Sequence, residues 1–112
     1  MAESDQHVRS RRYRDALDYE VGARIVVEFT TRGRAVIDYA VVLTVDIEDG
    51  EAVTVRVYDG AHGVNEMHRH DRAGEKALAE WFNAGTLGEG MRAAIVAVRA
   101  GYKEMIDAWR AT

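Results

Sequence analysis

"AVIDYAVVLTVDIEDGEAVTVRVY", residues 35–58, decides the fold. In its first half Ile37, Tyr39, Val41, Leu43, Val45 and Ile47 alternate with Val36, Asp38, Ala40, Val42, Thr44 and Asp46. A period of two is that of a β-strand with one buried face. The second half repeats it, with Val53, Val55 and Val57 inward and Thr54, Arg56 and Tyr58 outward. Between them "IEDGE" holds Gly50, which can take the positive φ of a tight hairpin turn. The stretch predicts two antiparallel strands.

The pattern continues outward. Upstream, "RIVVEFTT" puts Ile25, Val27 and Phe29 on one face, and "TRGR" supplies the turn into the next strand. Downstream, "VNEMHRHD" (64–71) reads as a fourth strand at the sheet edge, with Met67 toward the core and charge on the other face. "AGEKALAEWFNAG" (73–85) places Leu78, Trp81 and Phe82 at helical spacing and reads as a short helix, with a fifth strand as the alternative. "TLGEGMRAAIVAVRAGYKEMIDAWRA" (86–111) opens with Thr86 and Glu89 at capping-box spacing. It then carries an apolar stripe of Met91, Ile95, Val98, Tyr102, Met105 and Trp109. The expected fold is α+β: an antiparallel meander of about four strands with a long C-terminal helix packed across one face.

A helix of this length runs roughly 36 Å, whereas a strand of six to eight residues covers about 20 to 27 Å. An overhang exposing Met105, Ile106 and Trp109 is therefore expected, and with it a homodimer through the helix. Gly85, Gly88 and Gly90 lie at the helix entry without the Gly-Lys-Ser/Thr ending of a phosphate loop, so they read as close packing.

With 112 residues, 47% of them hydrophobic, the chain suits a single modest domain. Residues 1–12 read as a disordered basic arm, residues 13–112 as one α+β domain, with a short helix over Tyr13–Val21. The net charge of −4 argues against broad binding to nucleic acid or anionic lipid, although "RSRRYR" (9–14) holds four arginines and no acid. The absence of cysteine excludes disulfides, thiolate chemistry and the usual structural zinc sites. No apolar run is long enough to span a membrane and no secretory leader is apparent, so a cytoplasmic protein with no membrane partner is expected.

Chemistry concentrates in "YDGAHGVNEMHRHD" (58–71), which holds three of the four histidines. Residues two apart on a strand share a face at roughly 7 Å, so His68 and His70 are expected to point together. If Met67 meets Val57, then Arg56 falls opposite His68, and Arg56, Tyr58, Glu66, His68 and His70 share the outer face. Such a set supports acid–base chemistry on RNA, with His68 and His70 as acid and base and Arg56 or Arg69 on the phosphate. It equally supports a divalent metal held by His68 and His70 with Glu66 or His62. The bland alternative is the polar face of an edge hairpin, with no cofactor.

The segments "VYDGAHGVNEMHRHDRAGEK" and "GTLGEGMRAAIVAVRAGYKEMIDAWR", within residues 57–109, resemble an uncharacterised family of small bacterial, particularly actinobacterial, proteins. That likeness implies a module and carries no activity. Tyr58, Asp59, His62, His68 and His70 also match in type the Tyr-Asp strand and His-rich turn of TumE-like toxins of toxin–antitoxin pairs. That resemblance implies RNA as substrate and an antitoxin as protein partner. The lack of proline here and the long C-terminal helix depart from the toxin pattern. The two functional expectations are thus a non-enzymatic interaction module and a toxin-like RNA-acting protein.

Overall fold

The computed structural model describes residues 7–112. Strands β1 (Val8–Asp18), β2 (Ala23–Arg32), β3 (Ala35–Asp46), β4 (Ala52–Asp59), β5 (Asn65–Arg69) and β6 (Glu80–Asn83) form one antiparallel sheet in sequence order. Helix α1 (Leu87–Arg110) covers one face, mainly over β3, and leaves the other face open. The fold is α+β, with six strands where about four were expected. Gly33 and Gly50 take positive φ in the two anticipated hairpin turns.

Both additional strands lack the alternation that marks a half-buried strand. β1 is an edge, exposed along most of its length, so no apolar face reveals it. Its ladder to β2 runs from Val8↔Arg32 to Asp18↔Ala23. An Arg12–Glu28 ion pair at 2.9 Å, a Ser10–Thr30 hydroxyl bond at 2.9 Å and an Asp15–Arg99 pair at 2.7 Å fasten it further. This overturns the expected helix over Tyr13–Val21. Residues 8–12 of the expected arm also lie in β1, while residues 1–6 fall outside the described residues. β6 replaces the expected short helix at 73–85. Leu78 and Trp81 stay 91% and 75% exposed, so their helical spacing never served a core.

The core lies between α1 and the inward side chains of the central strands: Ile25 and Val27 of β2, and Tyr39, Val41, Leu43 and Val45 of β3. At β4 the pattern breaks. Leu43 pairs with Arg56 and Thr44 with Thr54, leaving Val55 as an extra residue in a β-bulge. Beyond the bulge the faces exchange. Tyr58, expected outside, shares the helix side with Val41 and is buried, its ring edge-on to Phe82 at 4.7 Å. Val57 and Asp59 turn to the open face.

Thr86 and Glu89 form the capping box. The helix does not overhang: β3 has 12 residues, roughly 40 Å, against roughly 36 Å for the 24 residues of α1. Met105 and Ile106 are accordingly buried within the protomer and Trp109 is half-buried, so these residues do not form the expected overhang. Among the described residues no helix is long and apolar enough to cross a membrane.

The helix entry is anchored by a residue the sequence reading passed over. Asn65 is buried, accepts a hydrogen bond from the Tyr39 hydroxyl at 2.8 Å, and donates to the carbonyls of Asn83, Gly85 and Thr86 at 3.2, 3.0 and 3.1 Å. A Cβ at Gly90 would collide with the Asn65 amide, whereas one at Gly88 meets only ordinary contacts near 3.5 Å. Gly90→Ala is therefore expected to destabilise by about 1 to 3 kcal/mol. Gly88→Ala should be neutral or stabilising, by up to about 1 kcal/mol. Equilibrium denaturation of the two variants checks the contrast, and equal effects would contradict the packing described.

Candidate functional site

β4 and β5 pair as Arg56↔Arg69, Val57↔His68, Tyr58↔Met67 and Asp59↔Glu66. Met67 faces the helix as expected, but it meets Tyr58 instead of Val57, because the Val55 bulge has shifted β4 by one residue. The expected outer face of Arg56, Tyr58, Glu66, His68 and His70 is therefore not assembled. Arg56, Arg69 and Tyr58 lie on the helix side, while Asp59, Glu66 and His68 converge on the open face.

Each of the displaced residues has another setting. Arg69 donates to Glu80 at 2.9 Å, a bond that, with the arginine's charge, holds the Glu80 carboxyl below its usual range. Among the described residues neither the buried Arg56 Nε nor the buried Trp109 Nε1 has a partner, and both residues line a cavity of about 50 Å³ with His70 and Met105. His70 has left β5: its N–H donates to the Val55 carbonyl at 3.1 Å and it bridges to Lys76. Burial pushes the His70 imidazole below its ordinary value, the charges of Lys76 and His68 add to the shift, and Asp71 opposes it.

The group on the open face is tighter. One ligand atom from each of Asp59, Glu66 and His68 lies within 4.8 Å of the others. Asp59 caps the turn after β4 by accepting from the Ala61 N–H at 3.2 Å, and Gly63 closes that turn at φ 78° with an N–H to the Gly60 carbonyl. Glu66 sits opposite Asp59 and meets His62 Nδ1 at 2.8 Å; the His62 ring is otherwise in water, 73% exposed. His68 is almost fully buried, with Nδ1 at 3.3 Å from the Ala77 carbonyl and Nε2 at 3.6 Å from Asp59 Oδ2. Its cover is the backbone arriving from the 70s loop, where Ala77 N–H donates to the Arg69 carbonyl at 2.8 Å.

These contacts assign the histidine's proton. A carbonyl only accepts, so Nδ1 of His68 is the donor. A neutral ring then turns the lone pair of Nε2 toward a carboxylate, an unfavourable approach unless a positive centre lies between them, either a second proton or a metal ion. Among the described residues no Lys or Arg forms an ion pair with Asp59 or Glu66.

Of the residues singled out in the sequence, the structure brings His62 against Glu66 and Glu66 near His68, sets His70 beyond the end of β5, and adds Asp59 to the group. Asp59, which the sequence offered only through its likeness to a Tyr-Asp strand, joins the group because the register sets it opposite Glu66. Fold and site together define an α+β domain with an uncovered antiparallel sheet face bearing a cluster of carboxylates and imidazoles. The chain belongs to the family described as Domain of unknown function (DUF7718), whose model matches residues 1–110, well beyond the two segments that carried the resemblance. No curated protein and no solved structure matches it.

The depressed His70 value sets a pH dependence. Unfolded, this group protonates around its ordinary 6.5; folded, it does so lower. Its contribution to stability is thus complete above pH 6.5 and is lost as pH falls toward the folded value. His70→Asn is expected to flatten the fall in melting temperature between pH 7 and 5, and parallel curves for the two proteins would contradict it.

Proposed function

We propose that this domain binds a divalent first-row metal ion through Asp59, Glu66 and His68. The observation that carries the reading is the Nε2 of His68, with Nδ1 committed to the Ala77 carbonyl, aimed at the Asp59 carboxylate beside Glu66. A divalent ion between the three would satisfy the lone pair and offset the repulsion of adjoining carboxylates. One imidazole nitrogen with carboxylate oxygens and no thiolate suits Zn²⁺ or Mn²⁺. His62 bonds Glu66 from outside, and the Ala77 carbonyl fixes the His68 tautomer; both are supports of the kind that orient metal ligands. Three protein ligands leave coordination positions for water or a substrate. Metal binding is compatible with a non-enzymatic module as well as with turnover.

Thermal denaturation of chelator-treated protein with and without ZnCl₂ or MnCl₂ tests this. At saturating metal the melting temperature should rise by about 5 °C or more. Asp59→Asn should abolish the rise and His70→Asn should keep it. No rise with either ion at millimolar concentration, or equal loss in both variants, would overturn the reading.

A second reading, acid–base chemistry on RNA, is favoured by the exposed His62 ring held at Nδ1 by Glu66, a carboxylate–imidazole pair of the kind that general acid–base catalysis uses. It transfers the roles first sought at His68 and His70 to His62 with His68. Under this reading, growth arrest on induced expression in a bacterial host is relieved by His62→Ala and not by His70→Ala. Normal growth with soluble wild-type protein counts against it.

A further inference from the structure

The four arginines of "RSRRYR" do not form one patch, because β1 alternates. Arg12 lies opposite Glu28 on the open face and pairs with it. Arg9, Arg11 and Tyr13 lie opposite Thr31, Phe29 and Val27 on the other. There Arg9 and Arg11 meet Arg34 from the β2–β3 turn in a trough of about 380 Å³, lined by His7, Arg9, Arg11, Phe29, Thr31 and Arg34. Among the described residues no carboxylate lines it and none of the three arginines forms an ion pair. Residues 1–34 hold seven arginines and no lysine against six acids, in a chain whose net charge is −4.

We propose that this trough, with the exposed ring of Tyr13 beyond it, docks single-stranded nucleic acid. Guanidinium groups present a planar fork that matches phosphate, and three of them converging on one trough, with no acid among its described lining residues, favour an anion there despite the overall charge. Arg9 and Arg11 follow the strand at roughly 7 Å per two residues. They could thus engage successive phosphates of an extended backbone. Tyr13, two residues further along the same face and 41% exposed, offers a base a stacking surface. An anionic membrane would need an apolar rim to insert, whereas an aromatic ring in line with the arginines fits an unstacked strand. Arg9, Arg11 and Tyr13 lie on the sheet face opposite the Asp59–Glu66–His68 cluster, and this inference does not rest on metal binding.

Fluorescence anisotropy of a labelled 20-nucleotide single-stranded RNA, titrated with the full chain over a range of salt, tests it. Wild type should bind with log K falling against log salt at a slope of about −2, as expected for three neutralised phosphates on a single strand. Arg9→Ala/Arg11→Ala/Arg34→Ala should weaken binding by about tenfold or more and flatten the slope. Tyr13→Ala should lose about fivefold with the slope kept. Lys76→Ala/Lys103→Ala/Arg110→Ala, removing equal charge from exposed positions elsewhere, should stay close to wild type. No binding at low salt, equal loss in both triple variants, or preferential capture by phosphatidylserine vesicles would overturn the proposal. Circular dichroism of each variant separates lost binding from lost fold.

Discussion

One extra residue in β4 governs everything downstream of it. Val55 has no partner on β3, so the strand's two faces exchange at that point. Before it, the inward positions are the odd-numbered valines that alternation identifies. After it, Arg56 and Tyr58 go under the helix and Asp59 comes out on the open face. Because Asp59 then pairs with Glu66 and Val57 with His68, the same shift brings carboxylate, carboxylate and imidazole together. Without the bulge, Tyr58 would lie beside Glu66 on the open face and Asp59 would be beneath it. The bulge thus re-aims the hairpin's chemistry, as bulges beside functional sites commonly do.

What was legible in the sequence follows from where burial is one-sided. β2 and β3 were read from alternation because one face of each is covered by α1 and the other is not. The helix was read from its stripe and capping box for the same reason. β1 was not legible, since an edge strand exposed on both sides carries no period, and its cohesion comes from pairing and from Arg12–Glu28 and Asp15–Arg99 contacts distant in sequence. Nor was the bulge, because Val-Thr-Val-Arg-Val alternates perfectly on paper. At the candidate site the expected pairing differs from the structure: His62, Glu66 and His68 lie near one another, while His70, two residues from His68, is carried off by the turn to Lys76. Asn65 had one signal, an amide inside a strand where asparagine is uncommon.

The two faces of the sheet divide labour. The helix side is closed mainly by apolar packing; Asn65 there has its hydrogen bonds satisfied, whereas Arg56 Nε and Trp109 Nε1 are buried with no partner among the described residues. Burial, with the charge of Asp59 adding to it, pushes the Tyr39 hydroxyl that bonds Asn65 up to about 12. That hydroxyl remains a donor across the whole physiological range, which suits a structural clamp. On the open face Asp59, Glu66 and His68 are largely covered, and among the described residues no arginine or lysine pairs with the two carboxylates. Stability alone does not favour that arrangement, because charges withdrawn from water need compensation.

Asn65 adjoins Glu66 in the chain and binds backbone carbonyls at the far end of β6 and the first residues leading into α1. The hairpin that presents the carboxylates is therefore pinned by contacts 18 to 21 residues later in sequence. During synthesis, a ribosome that has delivered β5 has made every side chain of the cluster, yet the clamp that steadies them is still inside the tunnel. Maturation of the site is consequently a late event, coupled to docking of the final helix, and a chain cut short before residue 86 carries the ligands without the frame.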